Sequence, residues 1–324
     1  MRALLASLRI ANAPSVISNV TLGYLLGGWY WGGLPLDGSN ILPPSLLTLI
    51  ICGLCLLFSG NLLNDWHDRH WDATHRPERA LPSGKFHPTA FLGAAISLVI
   101  TALLCAALLG IAVLVTASFI ATCIGIYTIY HKHRSWSILP MAACRAGLYL
   151  LGFLLHLPED ASMDAHLPAW MNPDHLHSAA FILTHAAGLF AYISALSLNA
   201  RYESLAHPPQ SMLVLGRALL FLPVPALSAW WIPFYPLAGS LAILPFAVWT
   251  LLALTRFHRP LPRFVSALLA GIPLVDLIAA IPIALTLLTP GETLTTHPLV
   301  LAALLVPLLA FASARVLQRI APAT

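Results

Sequence analysis

Ten apolar stretches, each about twenty residues long, follow one another along the chain with only short polar intervals between most of them. They lie at 14–34, 43–63, 88–108, 110–130, 139–157, 178–198, 211–231, 236–255, 264–289 and 296–317. Each can cross the ~30 Å hydrocarbon layer of a bilayer as a helix. The expectation is an all-α fold, a polytopic transmembrane helical bundle of about ten spans forming a single domain over residues 1–324. Composition enters as a check: 59% hydrophobic residues against 9% charged, with a mean hydropathy of +0.83, excludes a soluble domain of this size. The first run is too long for the apolar part of a signal peptide and has no cleavage pattern after it, so it reads as a true span.

The few charges test the count. With the N-terminus inside and ten spans, all 16 Lys and Arg residues fall on the cytoplasmic side or at span ends facing it. The opposite loops carry Asp37, Glu159, Asp160, Asp164, Asp174 and Glu292 and no base. A nine-span arrangement would put Arg315 and Arg319 outside. The pattern therefore predicts an integral membrane protein of the bacterial inner membrane with both termini cytoplasmic. On this reading the net charge of +4 reflects topology and not affinity for nucleic acid. Cys52, Cys55, Cys105, Cys123 and Cys144 lie in or at the edges of spans, where they pack as small apolar side chains; the Cys52-x-x-Cys55 spacing carries no redox or zinc argument there.

Against this apolar background residues 61–85, NLLNDWHDRHWDATHRPERALPSGK, stand out. At about 100° per residue Asn61, Asp65, Asp68 and Asp72 share one helix face. Three carboxylates this close repel one another unless bases or a divalent cation neutralise them, and hard oxygen ligands suit Mg²⁺ better than zinc or copper. His75-Arg76-Pro77 ends the helix, and Leu81-Pro82-Ser83-Gly84 turns the chain back, placing Arg76, Arg79 and Lys85 opposite the acids or an anion they hold. A solvated helix end would not need every Asp on one side. Polar cap loops are expected at 64–87, 130–140 and 199–210.

Other polar residues extend the pattern. His131, Lys132, His133 and Arg134 follow span 4, and Arg145 lies one turn into span 5, either snorkelling to the interface or pointing into a polar cavity. Asn199 and Glu203, four apart after span 6, share a face and form a possible second half of the cation site. Asp276 lies within span 9 and must face the bundle interior, be protonated, or both, with Pro273 and Pro282 opening the helix enough to offer it backbone partners. The acids and histidines of 158–177 read as a solvated loop, and His156 and His185 as hydrogen-bonded core residues and not haem ligands.

Asn64-Asp65-x-x-Asp68-x-x-x-Asp72 followed by Arg76-Pro-x-Arg79-x-Leu-Pro-Ser-Gly84 resembles the signature loop of the UbiA superfamily of intramembrane prenyltransferases. The resemblance implies a bundle around a lipid-filled cavity whose cytoplasmic mouth binds an isoprenyl diphosphate through Mg²⁺, with transfer of the prenyl group to a small aromatic or lipid-like acceptor. It implies Asn64, Asp65, Asp68 and Asp72 as metal ligands, with Asn61, Asn199 and Glu203 added. The diphosphate would be held by Asn64, Arg76, Arg79, Lys132, Arg134 and Arg145, and Asp65, Asp68, Asp72, Lys132 and Arg145 would be catalytic. The family's second motif has two aspartates where this chain has Asn199 and Glu203. That departure, Asp276 and the tenth span are similar to the EboC-like branch. It also keeps open a second reading, a UbiA-like protein that binds or helps to transport an isoprenoid lipid with reduced or lost catalysis. A phosphatidyl transferase is disfavoured because Asp68 is followed by Arg69 where that motif requires Gly.

Overall fold

The computed structural model describes residues 2–34, 43–158, 173–202, 207, 209–288 and 298–321, and among them helix is the only regular structure. A short α1 (Arg2–Ser7) leads into α2 (Ala13–Trp31), α3 (Pro44–His75), α4 (Pro88–Leu109), α5 (Ile111–Tyr130), α6 (Ile138–Phe153) and α7 (Pro173–Tyr202). These are followed by α8 (Gln210–Leu219), α9 (Pro223–Ser228), α10 (Pro236–Thr255), α11 (Leu261–Ala270), α12 (Ile272–Thr286) and α13 (Pro298–Ile320). Nine helices or near-continuous helix pairs among the described residues are long and apolar enough to cross a membrane. The first apolar run is helical too, as α2, but is not one of the nine. Its Ser15, Ser18, Asn19 and Thr21 lower its apolarity because α2 is the axis of the bundle, packed between α3, α6, α12 and α13 and buried almost throughout. The outer face is carried by α4 and α5, where Ile100, Leu104, Leu108, Ile111, Val115 and Phe119 are exposed in the manner of lipid-facing side chains. This is an integral membrane protein.

Small residues set the closest approach. A Cβ at Gly23 would collide with the backbone of Tyr149, and one at Gly152 with that of Tyr24, so α2 and α6 pack backbone to backbone through glycines. Gly110, at φ 123°, makes the one-residue turn between α4 and α5. The α11–α12 pair breaks at Gly271, where the carbonyls of Ala267 and Leu268 share the Gly271 N–H and each takes a side-chain donor as well: Tyr192 Oη donates to Leu268 O at 2.9 Å and Trp249 Nε1 to Ala267 O at 2.8 Å.

The cap after α3 is folded. Arg76 closes the helix with its N–H on Asp72 O, and Gly84, at φ 71°, completes the turn back to α4. Leu62 of α3, Ala80 and Leu81 of the cap, and Phe91 and Ala95 of α4 form a small second core. The cap's position over the α3 terminus therefore rests on packing as well as on ion pairs.

Candidate functional site

At 32 residues α3 is about 48 Å long, well beyond a hydrocarbon layer of ~30 Å, so its last turns stand clear of the apolar part of the bundle. That overhang carries the acidic face, and Asn61, Asn64, Asp65, Asp68 and Asp72 are all buried. Bases bury them. Arg79 reaches back from the cap to Asp72 at 2.9 Å and to Asp65 at 3.7 Å. Lys132 and His131, just past the end of α5, meet Asp68 at 2.9 Å and 3.0 Å.

A fourth base comes from the N-terminal segment. Arg9, held at φ 47° between α1 and a single turn of 3₁₀ helix, places its guanidinium 2.9 Å from Asn61 Oδ1 and 3.7 Å from Asp65. Neither Arg9 nor His131 stood out as a site residue in the sequence. The αL backbone that aims Arg9 inward is set by tertiary contacts: Asn61 Nδ2 donates to Leu8 O at 2.8 Å, pinning the segment to α3. The one signal for His131 was its place beside Lys132.

Beneath this polar cluster lies a cavity of about 350 Å³. Four guanidinium-bearing residues line it, Arg9, Arg76, Arg79 and Arg145, together with Asn12, Asn61 and Asn64. The remaining walls are apolar and come from α2, α3, α5, α6, α7, α11 and α12, with Leu56, Ile124, Leu148, Leu196 and Leu269 as examples. One space thus has a cationic end and a hydrocarbon body, which suits an amphiphile with an anionic head and a branched apolar tail.

The expected site residues do not all converge. Arg145 does point into the cavity and does not snorkel, and its Nη1 donates to Ser15 Oγ at 3.0 Å. Arg134 is exposed and contributes its carbonyl, which accepts from Arg201 Nη1 at 3.3 Å. Asn61 spends both ends of its carboxamide on Arg9 and Leu8. Asn199 donates to Ala195 O at 2.8 Å and packs against Gly216 of α8, away from the cavity wall that Ile193 and Leu196 of the same helix provide. Glu203 lies outside the described residues, as do the acids expected at Asp37, Glu159, Asp160, Asp164 and Glu292. Asp276 sits in the bundle centre, and its partners are the side chains of Ser18, Asn19 and Tyr149 from α2 and α6, not the backbone near Pro273 and Pro282 that the sequence suggested. His185 is a core residue, bonded to Phe181 O and Trp231 Nε1.

The donors left over fit a hard cation. Asn64 Oδ1 and Asp72 Oδ1 are buried and have no hydrogen-bond partner, although an orphaned buried acceptor costs about 1–3 kcal/mol. Among the described residues no three His, Cys, Asp or Glu side chains converge tightly enough to enclose a metal by themselves. An open row of oxygens along one helix suits Mg²⁺, which keeps several waters and shares its coordination with phosphate oxygens.

Comparison with known proteins bears on the family and the fold. The family model described as "UbiA prenyltransferase family" matches residues 22–272. A digeranylgeranylglyceryl phosphate synthase from Methanopyrus kandleri is 33% identical over 88 residues, a stretch that covers 27% of this chain and only 28% of that protein. A solved structure concerned with digeranylgeranylglyceryl phosphate synthase in membranes superposes with a TM-score of 0.56 at 16% identity, covering 87% of this chain and 96% of the other, and so shares the fold. A UbiA homolog from Archaeoglobus fulgidus, solved with GPP and Mg²⁺, gives a TM-score of 0.47 at 12% identity over 97% of this chain and 98% of the other.

Proposed function

This chain belongs to the UbiA prenyltransferase family, and from that premise we propose that it transfers a prenyl group from an isoprenyl diphosphate to a hydrophobic acceptor within the membrane, with Mg²⁺ as cofactor. The observation that carries the proposal is the cavity: four arginines and Asn64 at one end, two of those arginines, Arg9 and Arg79, paired with the buried carboxylates of α3, and hydrocarbon walls at the other end. Asn64, Asp65, Asp68 and Asp72 would hold the cation. When bound, Mg²⁺ supplies positive charge against the diphosphate oxygens.

The chain's own part follows from its charges. Arg9, Arg76, Arg79 and Arg145 receive the diphosphate, and their guanidiniums face the oxygens on which negative charge grows as the C1–O bond breaks. Pyrophosphate leaves, C1 bonds to the acceptor, and the acceptor's displaced proton passes to water or to the leaving group. The apolar walls hold the tail and keep water from capturing the allylic carbon. His131 and Lys132 would keep Asp68 ionised and fixed in place beside the other acids. The polar end faces the cytoplasm of a bacterial inner membrane on this reading, with both termini on that side, supported by the one-sided placement of Lys and Arg.

The second reading, isoprenoid binding or transport without turnover, is favoured by Asn199, which lies where the family has an acid and is turned toward Gly216. One experiment separates the two. Purified protein in lipid nanodiscs is given Mg²⁺, radiolabelled geranyl, farnesyl or geranylgeranyl diphosphate, and a membrane lipid extract. Label in the lipid fraction with stoichiometric pyrophosphate release is the expected result. Saturable binding without release establishes the second reading, and folded protein that binds no prenyl diphosphate overturns both.

A further inference from the structure

No Asp or Glu occurs between Glu203 and Asp276 or after Glu292, yet these stretches carry Arg256, Arg259, Arg263, Arg315 and Arg319. The five come from the end of α10, the loop after it, the first turn of α11 and the last turns of α13. α11 and α12 form one near-continuous span, and α12 runs beside α2: Asp276 meets Asn19, and Trp29 Nε1 donates to Thr286 Oγ1 at 2.9 Å. The start of α11 therefore lies toward the α2 end that carries Arg9, on the same side of the membrane as the α3 acids. There the other bases have acidic partners, since Arg9, Arg79 and Lys132 all pair with α3 carboxylates. Among the described residues none of these five arginines meets a carboxylate, and none lines the cavity.

Aromatic rings gather the charges. Arg263 Cζ lies 4.8 Å from the centroid of the Phe257 ring and Arg315 Cζ 5.9 Å from the same centroid, and Arg315 Cζ is also 5.4 Å from that of Trp249. The platform is anchored from behind. Trp249 packs edge-on against Phe311 and donates to Ala267 O at 2.8 Å, while Gln318 accepts from Arg315 Nη1 at 3.1 Å and donates to Ser266 O at 2.9 Å. The preference for Arg at one membrane face accounts for the side on which these residues lie. It does not account for two guanidiniums over one ring, because like charges repel and an aromatic face attracts each of them without neutralising either. An anion would neutralise both, and a guanidinium placed over a ring keeps its N–H edge for phosphate oxygens.

The depth of the cluster says which anion. Leu251 on α10 and Val316 and Ile320 on α13 are exposed in the manner of lipid-facing side chains, within two turns of the arginines. The arginines thus stand where the hydrocarbon of the bilayer gives way to its phosphates. We propose that Arg263 and Arg315, set over Phe257 and Trp249, bind the phosphate of an anionic phospholipid whose acyl chains lie along the exposed apolar faces of α10 and α13. Arg256, Arg259 and Arg319 add to the local positive charge. This site is separate from the cavity and does not depend on the prenyl diphosphate reading.

Lipid binding by the purified full-length protein in detergent tests the proposal. Dioleoyl phosphatidylglycerol, dioleoyl phosphatidylcholine and inorganic phosphate are titrated separately, with adducts read by native mass spectrometry. The expected result is a saturable adduct with phosphatidylglycerol, bound at least about fivefold more tightly than phosphatidylcholine and not displaced by phosphate at equal concentration. Each arginine near the surface adds about fivefold to the attraction for anionic lipid, so replacing Arg263 and Arg315 together by Gln should weaken phosphatidylglycerol binding about twentyfold or more. Arg2→Gln, which removes one charge from the exposed start of α1, should change it by less than about twofold. Replacing Arg263 and Arg315 together by Lys keeps the charge and loses the forked donors, and should weaken binding several-fold. Equal affinity for the two lipids, unchanged affinity in either double variant, or an Arg2→Gln loss as large as that of Arg315→Gln would each overturn the proposal. Displacement of the lipid by equal phosphate would make this a site for a soluble anion and overturn the lipid assignment. Should the double variants not fold, Arg263→Gln at its exposed position carries the test, with a loss of about fivefold expected and no loss overturning it.

Discussion

The ends of α3 and α7 reach the same polar face, since the 131–134 segment touches both: Lys132 pairs with Asp68, and the carbonyl of Arg134 accepts from Arg201. Each end carries polar side chains one turn apart, yet they are used differently. α3 turns Asp65, Asp68 and Asp72 into a nest of bases at the head of the cavity. α7 turns Ile193 and Leu196 to the cavity and gives Asn199 to Gly216. Among the described residues, the carboxylates stand on the α3 wall, whereas α7 offers the cavity hydrocarbon. Acids held by long Arg and Lys side chains can exchange those partners for a cation and a diphosphate, whereas Asn199 has its carboxamide nitrogen committed to Ala195 O and packed against Gly216, with only its Oδ1 unpartnered.

The largest effect should come from the end of the acidic row on α3. Asp72 is the most buried acid of the row, with one oxygen on Arg79 and the other unpartnered. Asp72→Asn should lower turnover by about 10²–10³-fold, the range for loss of one electrostatic stabiliser, and should raise the Mg²⁺ concentration needed for half-maximal activity. Unchanged Mg²⁺ dependence would remove Asp72 from the cation site.

Arg79 serves two acids and the cavity at once, so its removal should separate stability from affinity. Arg79→Ala leaves Asp65 and Asp72 short of counter-charge; loss of one partner of a buried pair costs about 3–5 kcal/mol, and the partial exposure of Arg79 puts the expected loss below that. Prenyl diphosphate affinity should fall by roughly tenfold. Mg²⁺ should raise the melting temperature of this variant more than that of the wild type, because the freed carboxylates attract it. Equal shifts in the two proteins would show that the acids do not bind the cation.

What could be read from the sequence follows from how local each feature is. The acidic face, the helix end at His75-Arg76-Pro77 and the turn at Gly84 depend on residues within a few positions of one another, and the structure has them as expected. Arg9 is placed by Asn61 and Asp65, more than fifty residues away, and Asp276 by residues more than a hundred positions away. Helical spacing shows that Asn199 and Glu203 share a face, but not which neighbour that face meets; the answer for Asn199 is α8, which packs closely there because position 216 is glycine. α2 was visible as a span, yet its role as the bundle axis was not, because Ser15, Ser18 and Asn19 only make sense beside Arg145 and Asp276.

A smaller effect is expected where the bases are duplicated. Asp68 has both His131 and Lys132, so Lys132→Met leaves one partner in place. Turnover should fall by about tenfold or less, with His131→Ala comparable and the two together costing more than their product, since each compensates for the other. Simple additivity would mean that the two bases act independently.

The smallest change in activity should come from the α7 wall, and it is the sharpest test of the asymmetry. Asn199→Asp restores the charge that the family pattern has at this position. If the end of α7 were the second half of the cation site, turnover should rise several-fold. The structure argues for the opposite outcome. Asn199 is fully buried, a Cβ on Gly216 would come within 3.0 Å of its carboxamide nitrogen, and the substitution would replace the donor to Ala195 O with an acceptor. A buried carboxylate there carries a desolvation cost and loses a hydrogen bond, so the melting temperature should drop by a few degrees while turnover stays within about twofold. A gain in turnover with an unchanged melting temperature would place Asn199 back at the metal and make the two walls equivalent.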